Sequence, residues 1–526
     1  VSEDETTMPA RWSLRHRPEE ESRQEDTDDV RRLAHRVLMP GFSGTRLPSW
    51  LSRAIHDGLG GICVFGHNVE SPTQLRAMTD DAHGLGRTLV AIDEEGGIVS
   101  RLGARQGSAH VGAAALGVVD DVDLTEQVAR SIACDLRYAG VDIDLAPVVD
   151  VSSNPDNPVI GVRAFGADPE HVARHSAAFV TGLQSTGIAA CAKHFPGHGD
   201  TNVDSHAGLP VIDADLNTLR TRELVPFRAA IEAGTQLIMT AHIVFRALDE
   251  QPATVSPKVI GLLRDELGFD GVITSDAMDM RAVAATIGMA EGSVQALIAG
   301  VDLIGLGNPV LNTPEGDDQD TFRSALEAII AAVHEGRLDI DRLREAAGRI
   351  DRLDRWVRDR RSGEVPEPDP TVDARAATES LLTTGDVSGA LQGPVRIIDI
   401  RRLRNIASGS NLSVITQALM RRLPESSAAR AFDQGPTVEG RAVDGPRRLV
   451  LGEDERADVI VTGTPGMDPS EANALAHLLA TSPDAIVICT GWVPDTDALQ
   501  PARRTVRTFG HSLPTAEAVA DLLTSP

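Results

Sequence analysis

Between about residues 30 and 310, eight short apolar runs alternate with stretches of helical periodicity. No other feature constrains the fold as tightly. The runs are Arg36–Pro40, Gly61–Phe65, Thr88–Ile92, Asp142–Pro147, Gly187–Ala192, Gln236–Ala241, Gly271–Ser275 and Asp302–Leu306. Each is nearly continuous in apolar residues, as a strand covered on both faces must be. Between them, Leu124–Tyr138, His171–Ser185, Glu223–Ala233 and Pro257–Leu267 carry the spacing of amphipathic helices. Strand–helix alternation of this kind predicts a parallel sheet, and eight units predict a (β/α)₈ barrel, with a doubly wound open sheet as the alternative.

Polar residues follow the carboxyl ends of several of these strands: Asp93-Glu94-Glu95-Gly96-Gly97, Asp150, Lys193-His194, His242 and Asp276. Such clustering is what a barrel active site requires. A second, smaller α/β domain is expected beyond a Pro-rich acidic break at Ser362–Pro370. Its strands are predicted at Val395–Ile400, Leu412–Ile415, Asp458–Thr462 and Asp484–Cys489. The organisation expected is a disordered acidic tail at 1–29, a barrel at 30–358, a linker at 359–372 and a C-terminal α/β sandwich at 373–526.

The net charge of −27 argues against nucleic acid or an anionic membrane as a partner. Four scattered cysteines, Cys63, Cys134, Cys191 and Cys489, read as buried apolar residues rather than disulfides or zinc ligands, which favours a reducing compartment. The first 29 residues lack the apolar core of a secretory peptide, and no run is long enough to span a membrane. A cytoplasmic location is expected.

The densest chemistry lies in Lys193-His194-Phe195-Pro196-Gly197-His198-Gly199-Asp200-Thr201-Asn202-Val203-Asp204-Ser205-His206. Its glycines and proline predict a shaped loop rather than a helix or strand. Asp204, two residues before His206, can orient the imidazole and raise its basicity, giving an acid/base usable near neutral pH. His194, His198, Asp200 and His206 are also possible metal ligands. However, Pro196 and Gly197 exclude the helical His-x-x-x-His arrangement of metalloproteases, so no metal and no cofactor is expected. Asp276, at the end of an apolar strand, could serve as nucleophile, general base or buried hydrogen-bonding group. Asp93 could grip a substrate hydroxyl with Arg101 returning beside it, and Arg163 could reach the same pocket.

Asp93-Glu94-Glu95-Gly96-Gly97, Ala146–Asp150, Arg163–Gly166, Lys193–His206 and Ser275-Asp276 together resemble glycoside hydrolase family three, in its bacterial β-N-acetylglucosaminidase branch. The match spans the first domain in order; in the second it is only architectural. The resemblance implies that Asp276 is the nucleophile of a covalent glycosyl-enzyme, His206 the acid/base and Asp204 its dyad partner. It implies that Asp93, Arg101, Arg163, Lys193 and His194 hold the sugar. The family's first loop often carries a second arginine where this chain has Ile98. The implied activity is retaining, exo-acting hydrolysis of terminal β-linked N-acetylglucosamine from short glycosides or cell-wall fragments. The alternatives are phosphate as acceptor, making a phosphorylase, and a non-catalytic sugar-binding protein. The four tryptophans lie outside the motifs, which suits a small polar pocket better than a polymer groove.

Overall fold

The structure, a computed structural model, describes residues 28–202, 208–312, 318–361, 367–402, 413–432, 437–438, 441–442, 451–452, 455–492 and 496–525. All eight apolar runs contain strands: β1 (Leu38–Pro40), β2 (Gly61–Val64), β3 (Leu89–Ile92), β4 (Ile143–Asp144), β5 (Ala189–Phe195), β6 (Leu237–Thr240), β7 (Val272–Ser275) and β8 (Ile304–Gly307). Strands β2 to β7 form one parallel sheet in chain order. A bridge between Thr274 and Leu303 joins β7 to β8, and β8 pairs in parallel with β1. β1 then lies against β2, where the Gly60 N–H donates to the His35 carbonyl at 3.1 Å. The sheet therefore curls until its ends meet, which the doubly wound alternative would not do.

The helices between the strands form for legible reasons. In α1 (Val122–Tyr138), Leu124, Val128, Ile132 and Leu136 recur every fourth residue and are buried, and the Asp121 carboxylate accepts the Leu124 N–H at 3.0 Å. Burying each of those side chains contributes about 1.5–3 kcal/mol. Helix α2 (Pro169–Gln184) begins with the Asp168 cap and a proline in its first turn, both suited to that end. Helix α3 (Ile340–Arg361) runs past residue 358 and ties the foot of the barrel. Its Arg342 and Arg349 reach the fully buried Asp302 below β8, at 2.7 and 3.4 Å, and Arg264 joins them. Its Arg361 pairs with buried Asp142 below β4 at 3.0 Å. Charge at the foot of the barrel is thus structural.

Of the expected tail at 1–29, only Asp28 and Asp29 are among the described residues, and both are already helical. The linker expected at 359–372 begins inside α3 and ends where helix α4 (Val372–Glu379) starts, with 362–366 outside the described residues.

The C-terminal region builds a second sheet from β9 (Leu382–Thr384), β10 (Arg396–Asp399), β11 (Ser427–Arg430), β12 (Val459–Thr462), β13 (Ile486–Cys489) and β14 (Arg504–Arg507). The order is β9-β14-β13-β12-β10-β11, parallel except for β9. Alternate residues serve opposite faces. Ile397, Val459, Val461, Ile486 and Ile488 pack with the helices Val414–Arg422 and Leu513–Thr524. Ile398, Ile460 and Val487 pack with Pro469–Thr481. Helices on both faces make a sandwich, as expected.

One strand expectation is corrected. Leu412 lies outside the described residues, and Val414 and Ile415 begin a helix whose Ala418 and Leu419 complete an i, i+4 face. Three apolar residues in a run of four do not distinguish the two states. Leu382–Thr384, Ser427–Arg430 and Arg504–Arg507 were not anticipated: the first two are edge strands with exposed residues, and the third, though interior, has an arginine at each end in place of an apolar run.

Candidate active site

Five charged side chains interlock at the barrel mouth. Asp93 directly follows β3, Lys193 lies near the end of β5, and Arg163 closes a short turn at Gly161–Arg163. Lys193 Nζ is 2.7 Å from Asp93 Oδ1 and 2.7 Å from Glu95 Oε1. Arg163 binds Glu95 with two parallel bonds, Nε to Oε2 at 2.9 Å and Nη2 to Oε1 at 2.8 Å. Arg101 Nη2 donates to Asp93 Oδ2 at 3.1 Å. Lys193 retains only 2 % exposure, so its charge survives there because two carboxylates share it.

The electrostatics agree. Burial alone would raise both carboxyls. Lys193 and Arg101 reverse this at Asp93 and hold it well below the usual carboxylate range, while Arg163 and Lys193 bring Glu95 down to about 2. Burial opposes the Lys193 ammonium, but Asp93 and Glu95 outweigh it and raise the group above its ordinary value. All are therefore ionised at neutral pH.

Glu94 points the other way. Its carboxylate accepts the Arg101 and Leu102 N–H groups, each at 2.9 Å, and thereby shapes the loop that returns Arg101 to Asp93. Below it, buried Asp144 accepts the Glu94 N–H at 3.0 Å, and burial raises its carboxyl well above the usual value.

β5 runs through Phe195, three residues beyond the expected end of its strand, so Lys193 and His194 belong to the strand rather than to the loop. The loop begins after them and is gathered by Asp150. This buried carboxylate accepts the His194 ring Nδ1–H at 2.8 Å, the His194 backbone N–H at 3.2 Å and the His198 backbone N–H at 2.7 Å. Gly199 must be glycine, because a Cβ there would sit 1.6 Å from the Val151 carbonyl oxygen. Burial, then the nearby His194, lowers the His198 ring to about 4, which keeps it neutral. Asp200 is held by Arg222 at 2.6 Å. Asp204 and His206 lie in the segment 203–207, outside the described residues.

Asp276 follows β7 and is partly exposed. Its Oδ1 accepts the Ala277 N–H at 2.7 Å, and His242 Nε2 donates to the Ala277 carbonyl at 3.0 Å, bracing that corner. Asp276 leaves the carboxyl end of β7 as Asp93 leaves that of β3, and Lys193 lies near that of β5, so the three stand at the same end of the barrel. Asp279 lies beside Gly307 at the end of β8, where a Cβ on that glycine would be 1.9 Å from its Oδ1.

The structure thus brings together Asp93, Arg101, Arg163 and Lys193, sets His194 beside them on β5, and places Asp276 at the same end of the barrel. Sequence reasoning missed Glu95, the centre of the cluster, and the orienting role of Asp150. Both stood in motifs already noted, Asp93–Gly97 and Ala146–Asp150. Their roles were hidden because their partners, Arg163, Lys193 and His194, are distant in sequence.

A parallel barrel with ion-paired acids and bases at the carboxyl ends of its strands defines the class, a (β/α)₈-barrel enzyme. The profile of the glycosyl hydrolase family 3 N terminal domain matches residues 48–353. The chain belongs to glycosyl hydrolase family 3 and is a glycoside hydrolase. It is 37 % identical to a beta-hexosaminidase of Alkalilimnicola ehrlichii over 353 residues, covering 63 % of this chain and 97 % of that one. It is 33 % identical to beta-hexosaminidase A of Pseudoalteromonas piscicida over 335 residues, 59 % of this chain and 55 % of the relative, so it spans about half of that protein. The structure of a family 3 beta-N-acetylglucosaminidase from Paenibacillus sp. str. FPU-7 superposes with a TM-score of 0.79 at 30 % identity, covering 94 % of this chain and 96 % of that one. No helix among the described residues is long and apolar enough to cross a membrane.

Proposed function

We propose that this glycoside hydrolase is a retaining, exo-acting β-N-acetylglucosaminidase that removes terminal β-linked N-acetylglucosamine from short glycosides such as cell-wall fragments. The observation that carries the reading is the ion-paired cluster of Asp93, Lys193, Glu95, Arg163 and Arg101 at the same end of the barrel as Asp276. Convergent donors and acceptors of this kind suit the hydroxyls of one sugar ring. The names of the relatives supply the N-acetylhexosamine.

In this reading Asp93, Arg101, Arg163, Lys193 and His194 hold the sugar. Asp276 attacks the anomeric carbon while His206, oriented by Asp204, protonates the leaving oxygen. His206 then takes a proton from water, which releases the sugar with net retention after two displacements. A histidine base adds no second anion beside the nucleophile, so Asp276 stays ionised. The barrel expected at 30–358, carried by α3 to Arg361, is the catalytic unit, and the domain expected at 373–526 follows it, with α4 already begun at Val372. Four free, buried cysteines are compatible with work in a reducing cytoplasm, in the recycling of peptidoglycan.

The test is release of nitrophenol from nitrophenyl β-N-acetylglucosaminide, with and without phosphate, in the wild type and in Asp276→Asn. The expected result is turnover indifferent to phosphate that falls at least ~10³-fold in the variant. Phosphate stimulation with sugar 1-phosphate as product would make the enzyme a phosphorylase instead. Absence of turnover on this glycoside would remove the substrate assignment.

A further inference from the structure

A second cluster of chemistry lies away from the barrel mouth. Asp120 ends the helix Ala113–Val119, while His171 and His175 stand one turn apart on α2. His171 Nδ1 and His175 Nε2 are each 3.3 Å from Asp120 Oδ1. One ligand atom from each residue lies within 4.8 Å of both others. We propose that Asp120, His171 and His175 form a binding site for a divalent transition-metal ion of the zinc type.

The distance of each nitrogen from Asp120 Oδ1 is what such an ion demands. Metal–ligand bonds of about 2.0–2.1 Å in a tetrahedron put neighbouring ligand atoms about 3.3 Å apart. Two nitrogens and one carboxylate oxygen also suit zinc, cobalt or nickel better than calcium or magnesium. The fourth position is left to water, and Asp120, with 53 % of its side chain exposed, gives the ion a way in.

The surroundings orient the ligands. Thr125 Oγ1 donates to the Asp121 carbonyl at 3.2 Å and lies 2.8 Å from His175 Nδ1, from which it can accept a proton. The contact with Thr125 holds the ring so that Nε2 faces the Asp120 carboxylate at 3.3 Å. His175 is fully buried, its ring fixed between Thr125 Oγ1 and the stacked Phe165. The His171 ring fits against two glycines: a Cβ on Gly166 would be 3.0 Å from its Cδ2, and one on Gly117 3.2 Å from its Nε2. Arg174 is the built-in competitor, with Nη2 at 3.0 Å from Asp120 Oδ1.

An ion here would clasp the ends of three segments: the helix Ala113–Val119, the start of α1 through Thr125, and α2. It would also steady Phe165, whose ring stacks on His175 at 5.4 Å and which lies two residues beyond Arg163 in the loop serving the barrel mouth.

The experiment uses the full chain, stripped with chelator and titrated with zinc chloride by calorimetry. Cobalt chloride in parallel reports tetrahedral coordination by its visible absorption. Each titration is repeated in a His206→Ala background, so that binding at Asp204 and His206 is counted separately. The expected result is one ion per chain in that background, weakened at least ~10-fold by His171→Ala and by Asp120→Ala, and tightened by Arg174→Ala, which removes the competing cation. Both ligand variants spare the buried His175 and should fold. Zinc binding of unchanged stoichiometry and affinity in all three variants would overturn the site, as would absence of zinc and cobalt binding in the His206→Ala background.

Discussion

Glu95 shows how much a single side chain decides. It accepts two bonds from Arg163 and an ion pair from Lys193, so its removal loosens two cations at once. Glu95→Gln is expected to lower kcat/KM about 10²-fold while the fold persists, because Arg163 loses its bidentate anchor. Steady-state kinetics on the nitrophenyl glycoside check this. The same residue makes a stability prediction. Its carboxyl is near 2 in the folded protein against an ordinary 4.5. A lowered value stabilises the fold above pH 4.5, and that contribution fades as pH falls from 4.5 toward 2. Wild type should therefore exceed Glu95→Gln by about 3 kcal/mol at neutral pH. The gap should close over that acid window, as read from urea midpoints at a series of pH values.

At the scale of elements, His110 is the link to test. It lies on the loop after β3, with Nε2 at 3.1 Å from Asp135 on α1 and Nδ1 at 2.8 Å from Asp373 on α4. One imidazole therefore joins a barrel helix to the helix that leads into the second sheet. Burial alone would lower the ring, but Asp135 and Asp373 outweigh it and carry it up to about 10 from an ordinary 6.5. A raised value means that the stabilisation is fully present below pH 6.5 and lost as pH rises from 6.5 through 10. In His110→Gln this alkaline decline should flatten, and the variant should be less stable than wild type at pH 6. Thermal unfolding across pH 6–10 reads both. If the two proteins decline in parallel, His110 does not carry the charge.

At the scale of the molecule, the second sheet meets the barrel at its charged mouth. The Leu513 N–H donates to the Ser108 carbonyl at 2.8 Å, and Trp492 and Phe509 pack with Ala114. Phe509 and Gly510 line a small cleft with Glu95, Gly97, Ile98 and Arg163. Ile98 thus lies against the second domain. Phe509 adopts a φ of +51°, a conformation costly for a bulky side chain, and it is held there by burial and by Arg507, 5.0 Å above its ring. Phe509→Ala should cost about 3–5 kcal/mol in stability. It should also raise KM more than it lowers kcat, since the ring lies behind Glu95 and Arg163 rather than at Asp276. Denaturant midpoints and kinetics on the same preparation separate these effects.

Local chemistry explains what could be read along the chain. Strands buried on both faces write themselves as apolar runs, so all eight barrel strands were legible, as were the helix faces of α1 and α2. The Asp93–Gly97 and Lys193–His206 motifs were legible because dense polar residues beside glycine and proline have few other uses. Exposed edge strands such as Ser427–Arg430 left no such mark, and the short apolar run Leu412–Ile415, which enters the helix Val414–Arg422, could be read either way. What folding alone decided is which charges meet. Glu95 and Arg163 are 68 positions apart, and His110 and Asp373 are 263 apart. The sequence by itself determined the eight barrel strands, the helix faces and most of the residues that carry chemistry, because these follow from neighbours within a few positions. The pairing of Lys193 with two acids, the gathering of the loop on Asp150 and the approach of Phe509 to the barrel mouth were settled by closure of the sheet, since only packing brings distant charges close enough to offset the cost of burying them.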